Sequence, residues 1–236
     1  MPPSTPMLSV ANLRVAFGRQ TVIDDLSFEV RPGETLAVIG PNGAGKTVLL
    51  KALLHLIPYQ GEIRWSPDAR LGYVPQKVAA DRQLPLRLGD LLAAKAAVQK
   101  LAETDIASVT SEVGLSPQIF NTSIGHLSGG QFQKALIAFA LLGRPNVLLF
   151  DEPTASLDEL AEEHTYELLH SLQQKKNMTA IFVSHDLSVV YRYATMVLCL
   201  SRGTRCMGPP KELLTPAMLE QLYGGPSKFY RHMDHQ

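Results

Sequence analysis

The order of hydrophobic and polar positions divides the chain into regions of different period. Near the N-terminus apolar residues mostly alternate with polar ones from Leu8 to Phe17, which is typical of a half-buried β-strand. Later apolar positions form short uninterrupted runs, which indicate fully buried strands. The pattern predicts strands at 8–17, 26–30, 35–39, 62–65, 71–74, 147–150, 180–183 and 195–200.

Helical spacing separates these strands. Ala, Leu, Lys, Gln and Glu dominate between residues 90 and 140, and further helices are predicted at 47–57 and 157–174. Strands that alternate with helices favour a mainly parallel sheet with helices on both faces. The long helical stretch is therefore interpreted as a subdomain inserted into an α/β domain.

Composition and charge narrow the possible functions. The 236 residues suffice for one large α/β domain or two small ones, and 22 basic residues balance 22 acidic ones, so no overall charge favours nucleic acid. No apolar run approaches the roughly 20 residues that cross a bilayer, and we find no signal peptide, so we expect any membrane role to come through a partner. Cys199 and Cys206 are expected to be inert core thiols in a reducing compartment.

A glycine-rich loop follows the predicted strand 35–39. Its sequence, G-P-N-G-A-G-K-T, matches the phosphate-binding pattern G-x4-G-K-[ST]. The backbone N–H groups of such a loop face phosphate oxygens, Lys46 can bind the β and γ phosphates, and the Thr47 hydroxyl can bind Mg²⁺. Nucleotide contacts are predicted for Gly40, Pro41, Asn42, Gly43, Ala44, Gly45, Lys46, Thr47 and Val48.

Two carboxylates follow the apolar run 147–150. At the end of a strand Asp151 can hold Mg²⁺ through water, and Glu152 can act as the general base for an attacking water. A strand that ends in acidic residues is common, so the pair gains its meaning from the phosphate loop in the same chain. Together they predict nucleotide hydrolysis.

A second anion-binding element lies at Leu127–Gln131. Two glycines at the start of a predicted helix, 131–142, expose N–H donors, and a serine adds a hydroxyl. One chain cannot usefully direct this element and the phosphate loop at one γ-phosphate if an inserted subdomain separates them, whereas two chains arranged head to tail can. The residues predicted to contact the nucleotide of a second copy are Ser128, Gly129, Gly130 and Gln131.

The phosphate loop, the second element and the acidic pair, in this order, resemble the ABC ATPase family over nearly the whole chain. The resemblance gives roles to four more residues. Gln76 resembles the glutamine that touches Mg²⁺ and water, and His185 resembles the switch histidine at the γ-phosphate. Asp158 lies in a loop similar to the one that crosses the dimer interface, and Phe17 takes the place of the aromatic that stacks on adenine. In isolation, such a histidine is more often structural and such a phenylalanine is more often core.

The resemblance implies an α/β fold with a P-loop NTPase (RecA-like) core, an N-terminal antiparallel β-subdomain and an inserted helical subdomain at about 77–145. One nucleotide-binding domain would span 7–223, and 224–236 would be a tail. Val48 departs from the family pattern because it lacks a hydroxyl, and Lys134 and Phe139 stand where arginines are usual. These departures affect an α-phosphate contact and helix-surface contacts.

The same resemblance implies a homodimer that sandwiches two ATP molecules, each with Mg²⁺. Catalytic roles then fall to Lys46, Gln76, Glu152 and His185, and Mg²⁺ contacts to Thr47, Gln76 and Asp151. No nucleic acid takes part.

Weaker similarities favour the zinc, manganese and iron import branch of the family. They lie at 72–77, 84–86, 197–200, 206–210 and 222–225, and in the tail, whose His232 and His235 are more often simply polar. This branch implies a separate integral membrane permease, a substrate-binding protein and a peripheral position on the cytoplasmic face of the membrane. The alternatives are an ABC ATPase for another transported substrate, a soluble one such as those of cluster assembly, and a nucleotide-binding module without hydrolysis.

Overall fold

The computed structural model describes residues 5–76, 85–152, 159–201 and 205–223. Its strands are β1 (Leu8–Phe17), β2 (Gln20–Val30), β3 (Thr35–Ile39), β4 (Gln60–Trp65), β5 (Leu71–Val74), β6 (Val147–Asp151), β7 (Thr179–Val183), β8 (Met196–Leu200) and β9 (Arg205–Gly208). Its α-helices are α1 (Lys46–Leu53), α2 (Leu88–Val98), α3 (Glu103–Glu112), α4 (Gly129–Leu141), α5 (Glu159–Lys176), α6 (Leu187–Tyr193), α7 (Pro210–Leu213) and α8 (Pro216–Tyr223). The chain folds into two units, Met1–Pro67 with Thr179–Gln236, and Asp68–Met178.

In the first unit, the alternating N-terminal pattern forms an antiparallel sheet. β1 pairs with β2 on one side and with β4 on the other. Leu13 and Val15 of β1 are buried while Arg14 between them is exposed, as the period of two requires. This sheet confirms the antiparallel β-subdomain at the N-terminus.

The same unit contains a mostly parallel sheet built from the uninterrupted apolar runs. β3 lies between β7 and β8 and is parallel to both, and β9 is antiparallel to β8. Every residue of β3 and β7 is buried, which explains why these strands show no alternation. Because β3 and β7 are parallel neighbours, the loops that follow them leave the same edge of the sheet.

The second unit combines one parallel strand pair, β5 and β6, with helices α2 to α5. Lys95 of α2 lies against Phe139 of α4: its Nζ donates to the carbonyl oxygen of Phe139 and lies 4.2 Å from the centre of the ring. Burial lowers the pKa of Lys95. A cation from a neighbouring helix thus approaches position 139, where the family resemblance leads one to expect an arginine.

Several predicted boundaries need correction. α1 ends at Leu53 rather than at residue 57, because His55 adopts a left-handed conformation with φ 56° and Pro58 follows. β2 starts at Gln20, six residues before the predicted strand, and α4 starts at Gly129 rather than at 131. The first residues of the predicted helical subdomain, 77–84, and the predicted tail, 224–236, lie outside the described residues.

The expectation of two inert core thiols was wrong. Cys199 and Cys206 form a disulfide between β8 and β9. The antiparallel register places these residues directly opposite each other with their Cα atoms 5.0 Å apart, a separation that a disulfide can bridge. The sequence pattern does not predict β9, so it gives no reason to place residue 206 next to residue 199.

Candidate active site

In the first unit, the phosphate loop adopts a backbone that requires glycine at two positions. Gly40 has φ 149° and Gly45 has φ 97°, values that side chains with a Cβ rarely adopt. An added Cβ at Gly40 would lie 2.0 Å from the carbonyl oxygen of Leu200, and one at Gly45 would lie 2.8 Å from Val22 Cγ1. The conformation of the loop is therefore set by close packing against β2 and β8.

The side chain of Lys46 lies inside this loop and binds its backbone. Its side chain is only 7% exposed, and Nζ donates to the carbonyl oxygens of Gly40 at 2.8 Å and Pro41 at 3.3 Å. Among the residues that the structure describes, no side chain caps the N-terminus of α1, which begins at Lys46. An ammonium group and an uncapped helix N-terminus thus meet at one loop, as the binding of a polyphosphate requires.

The switch-histidine candidate lies beside the loop. His185 occupies the turn between β7 and α6, where the N–H of Asp186 donates to Ser184 Oγ at 3.0 Å and the Asp186 carboxylate caps the helix by accepting from Ser188 N at 2.7 Å. The exposed His185 lines a cavity of about 280 Å³ together with Gly40, Pro41, Asn42, Leu187 and Tyr223. The structure therefore brings His185 to the phosphate loop.

Tyr223 is the residue of this cavity that sequence reasoning missed. In the sequence it belongs only to the stretch 222–225, which resembles the metal-import branch. An aromatic residue at the end of an apolar helix usually indicates core packing, so no sequence signal marked it as a residue of the site. The parallel order of β3, β7 and β8 and the path of α7 and α8 bring it there.

In the second unit, the acidic pair lies at the end of β6, whose last residue is Asp151 and which Glu152 follows. Asp151 is buried, with 2% of its surface exposed, and Glu152 adopts a left-handed backbone with φ 43°. The amide Nε2 of Gln76 donates to Glu152 Oε2 at 2.6 Å. A residue held in an uncommon backbone region and fixed by a short hydrogen bond is typical of functional sites.

The phenol of Tyr73 is affected by the charge of Asp151. Burial raises the pKa of Tyr73 to about 12, and the negative charge of Asp151 contributes to the increase. The unfolded chain releases the same proton near pH 10. The contribution of Tyr73 to the free energy of unfolding is therefore constant below about pH 10 and falls as the pH rises from 10 to 12.

We expect Tyr73→Phe to remove this contribution. The urea midpoint of the wild-type chain should fall more steeply above about pH 10 than that of Tyr73→Phe, whereas the difference between their midpoints should not change with pH below about pH 9. Parallel midpoints over the whole range would show that the phenol does not keep its proton in the folded state.

The second anion-binding element lies at the start of a helix, as predicted, although this helix begins at Gly129 instead of Gln131. Ser128 is the N-cap of α4: its Oγ accepts from Gln131 N at 3.2 Å, while the Gln131 side chain accepts from Ser128 N at 3.0 Å. This reciprocal arrangement is a capping box. Because the serine oxygen acts as acceptor, its own O–H remains a donor. Gly130 is only half-buried, and an added Cβ there would meet nothing within 4 Å.

The remaining candidates differ in how they are placed. Phe17 is 50% exposed at the end of β1, so it is not the core residue that such a position more often holds. Val48 is half-buried in α1, and Lys134 is exposed on α4. Asp158 lies outside the described residues.

The chemistry of these residues fits a nucleoside triphosphate with Mg²⁺. An added Cβ at Gly43 would meet no heavy atom within 4 Å, so the backbone of the loop stays open to a ligand there. Hydroxyl, carboxylate and amide oxygens, as Thr47, Asp151 and Gln76 carry, are the hard ligands that Mg²⁺ prefers.

Comparison with known proteins agrees with this chemistry. Residues 23–155 match the model of the ABC transporter family. The zinc import ATP-binding protein ZnuC of Haemophilus influenzae is 34% identical over 93% of this chain and 81% of its own length. The protein of the same name from Cereibacter sphaeroides is 36% identical over 96% of this chain and 93% of its own length.

Solved structures have the same fold. A metal-chelate type ABC transporter in an inward-facing conformation matches with a TM-score of 0.84 and 28% identity, over 94% of this chain and 90% of its own chain. CbiO1 from Clostridium perfringens, part of the ABC transporter complex cbiONQ, matches at 0.76 with 24% identity over 92% and 93%, which shows the fold alone. The part of the chain that the structure describes contains no helix long and apolar enough to cross a membrane.

These matches confirm the predicted fold class and the resemblance to the metal-import branch. They also confirm the prediction of an ABC-type ATPase, which binds nucleotide. The chain belongs to the ABC transporter family.

Proposed function

We propose that this chain hydrolyses ATP to drive the import of zinc, or of a closely related divalent transition metal, through a separate permease. The assignment of the cargo rests on two relatives that are named as zinc import proteins. They are 34% and 36% identical to this chain and align over more than nine-tenths of it. The structural similarity to a metal-chelate type transporter also supports a metal as the cargo.

We propose that Lys46 and the backbone of the phosphate loop bind the β and γ phosphates. The Lys46 ammonium donates to the carbonyl oxygens of Gly40 and Pro41 at the start of the loop. When ATP binds, phosphate oxygens can replace these carbonyl oxygens as acceptors. The exposed ring of Phe17 would stack on adenine. Thr47, Gln76 and Asp151 would hold the Mg²⁺ that offsets phosphate charge.

Glu152 is the proposed general base. It would accept the proton of the attacking water while Gln76, through its 2.6 Å hydrogen bond, holds the carboxylate in place. His185, in the cavity beside Gly40 and Asn42, would contact the γ-phosphate. Removing water from the closed site strengthens each of these charge interactions.

A second copy of the chain would complete each site. Ser128, Gly129, Gly130 and Gln131 begin α4, and the helix dipole and the serine O–H together favour an anion at this end. With Asp158 in a crossing loop, the element would act on ATP bound to the partner. ATP would then stabilise the closed pair, and hydrolysis would release it.

The partners follow from the proposed transport role. As an ABC transporter component, the chain would dock on integral membrane permease subunits from the cytoplasmic side, and a substrate-binding protein would deliver the metal to the permease. ATP hydrolysis within the homodimer would drive the conformational change of the permease, and the metal itself would pass through the permease.

Uptake of radioactive zinc tests this function directly. In a strain without the chain, we expect zinc uptake at submicromolar concentration to fall at least about tenfold, the wild-type chain to restore it, and Glu152→Gln to fail. Uptake of an amino acid should not change. Wild-type zinc uptake without the chain would overturn the cargo assignment; parallel manganese and iron uptake measurements would then test the related metals.

A further inference from the structure

The cavity beside the phosphate loop contains one side chain that lies far from every motif in the sequence. Gly40, Pro41 and Asn42 come from the loop after β3, and His185 and Leu187 come from the turn and helix after β7. Tyr223 alone comes from α8, more than thirty residues later in the chain. The end of the described chain therefore reaches the residues proposed to handle the γ-phosphate.

The helix that carries Tyr223 is firmly held. Leu219 and Leu222 of α8 are 0% and 2% exposed, so they anchor the helix in the core of the first unit. Tyr223 is the last residue of α8 and keeps 37% of its surface exposed. Its ring therefore forms a wall of the cavity on a fixed support, instead of filling the core.

The phenol lies beside the phosphate loop, because Tyr223 and Gly40 line the same cavity. The Cα of this glycine packs so closely on the carbonyl oxygen of Leu200 that no Cβ fits between them. The first residue of the phosphate loop is thus fixed against β8 and faces the cavity that α8 closes with Tyr223.

The chemistry of the phenol suits this position. Burial raises the pKa of Tyr223, so the side chain stays neutral at physiological pH. A neutral phenol has one O–H to donate to a neighbouring acceptor. A tyrosinate would repel phosphate oxygens, whereas the neutral group can lie beside them.

We propose that Tyr223 is a positioning residue for ATP hydrolysis, which couples the C-terminal helix α8 to the phosphate loop and to His185. It acts through Gly40, whose orientation sets the direction of the N–H groups that follow it in the loop. Its ring limits the space in which His185 can move. The proposal rests on the ATPase activity proposed above and assigns to that site a residue outside its sequence motifs.

Steady-state ATP hydrolysis by the purified full-length chain tests the role of Tyr223. Tyr223→Phe removes the hydroxyl and keeps the ring, so we expect kcat to fall about fivefold, the loss that one hydrogen bond accounts for. KM for ATP should stay within about twofold and the melting temperature should not change. Tyr223→Leu, which also removes the wall of the cavity, should lower kcat further.

Tyr59→Phe is the matched control. It removes a phenol that contacts His55 at 2.8 Å in the same unit, away from the cavity, and kcat should stay at the wild-type value. A kcat for Tyr223→Phe within about twofold of wild type would overturn the proposal. The proposal would also be overturned if the fall in kcat came with a clear change in KM and a lower melting temperature. Such a combination is what the loss of a packing residue would cause. Absence of hydrolysis in the wild-type chain would instead refute the ATPase function itself.

Discussion

Replacing Glu152 with glutamine is expected to lower ATP turnover at least about 100-fold while ATP binding is retained. The amide that replaces the carboxylate cannot accept the proton of the attacking water at neutral pH. ATP then persists in the site, and the ATP-bound dimer accumulates because hydrolysis no longer releases it.

The structure explains why this substitution isolates the chemical step. Gln76 Nε2 donates to Glu152 Oε2 at 2.6 Å, and the carbonyl oxygen of a glutamine at 152 can accept the same hydrogen bond. The left-handed backbone at φ 43° costs a glutamine about as much as a glutamate. The fold and the position of Gln76 should therefore be preserved, so a loss of turnover reports the base.

Two measurements on the purified protein check this prediction. Phosphate release gives the turnover, and light scattering on a sizing column gives the molecular mass with and without ATP and Mg²⁺. We expect Glu152→Gln to elute as a dimer with ATP, while wild type returns to monomer after hydrolysis. Glu29→Gln, an exposed carboxylate of β2, should behave as wild type. Turnover above about one-tenth of wild type in Glu152→Gln would rule out the general-base role.

Much of the fold could be predicted because its strands leave clear patterns. The buried runs of β3 and β7 and the alternation in β1 each match a single type of strand. The sequence of β9, R-C-M-G, forms neither an apolar run nor an alternation, and the four residues of α7 are too few for a helical period. The pairing of Cys199 with Cys206 depends on β9, which explains why this contact could not be predicted.

The candidate site shows the same limit. Lys46 and Ser128 belong to motifs whose chemistry depends on neighbours in sequence, and their loops fold locally as expected. Tyr223 and the Lys95–Phe139 contact depend on residues that meet only after folding. Local sequence carries the phosphate-binding chemistry, whereas the surroundings that position it come from tertiary packing.

Gly40→Ala is expected to weaken nucleotide binding and to destabilise the first unit. The new Cβ would lie 2.0 Å from the carbonyl oxygen of Leu200, which is a backbone atom and cannot rotate away. Either β8 or the phosphate loop must shift. Forced overpacking of this kind costs about 1–3 kcal/mol, and the φ of 149° adds a further cost for alanine, of the order of 1–3 kcal/mol.

Gly18→Ala separates the steric effect from the backbone effect. Gly18 also has a positive φ, 58°, but an added Cβ there would meet nothing within 4 Å. We expect it to lose only about 1–2 kcal/mol of stability and to keep ATP affinity, measured by titration with a fluorescent ATP analogue. Gly40→Ala should lower that affinity more than about tenfold, because the loop cannot keep both its close packing on Leu200 and its position at the cavity. Equal effects of the two substitutions would show that the backbone conformation alone, without the packing of Gly40 on β8, accounts for the loss.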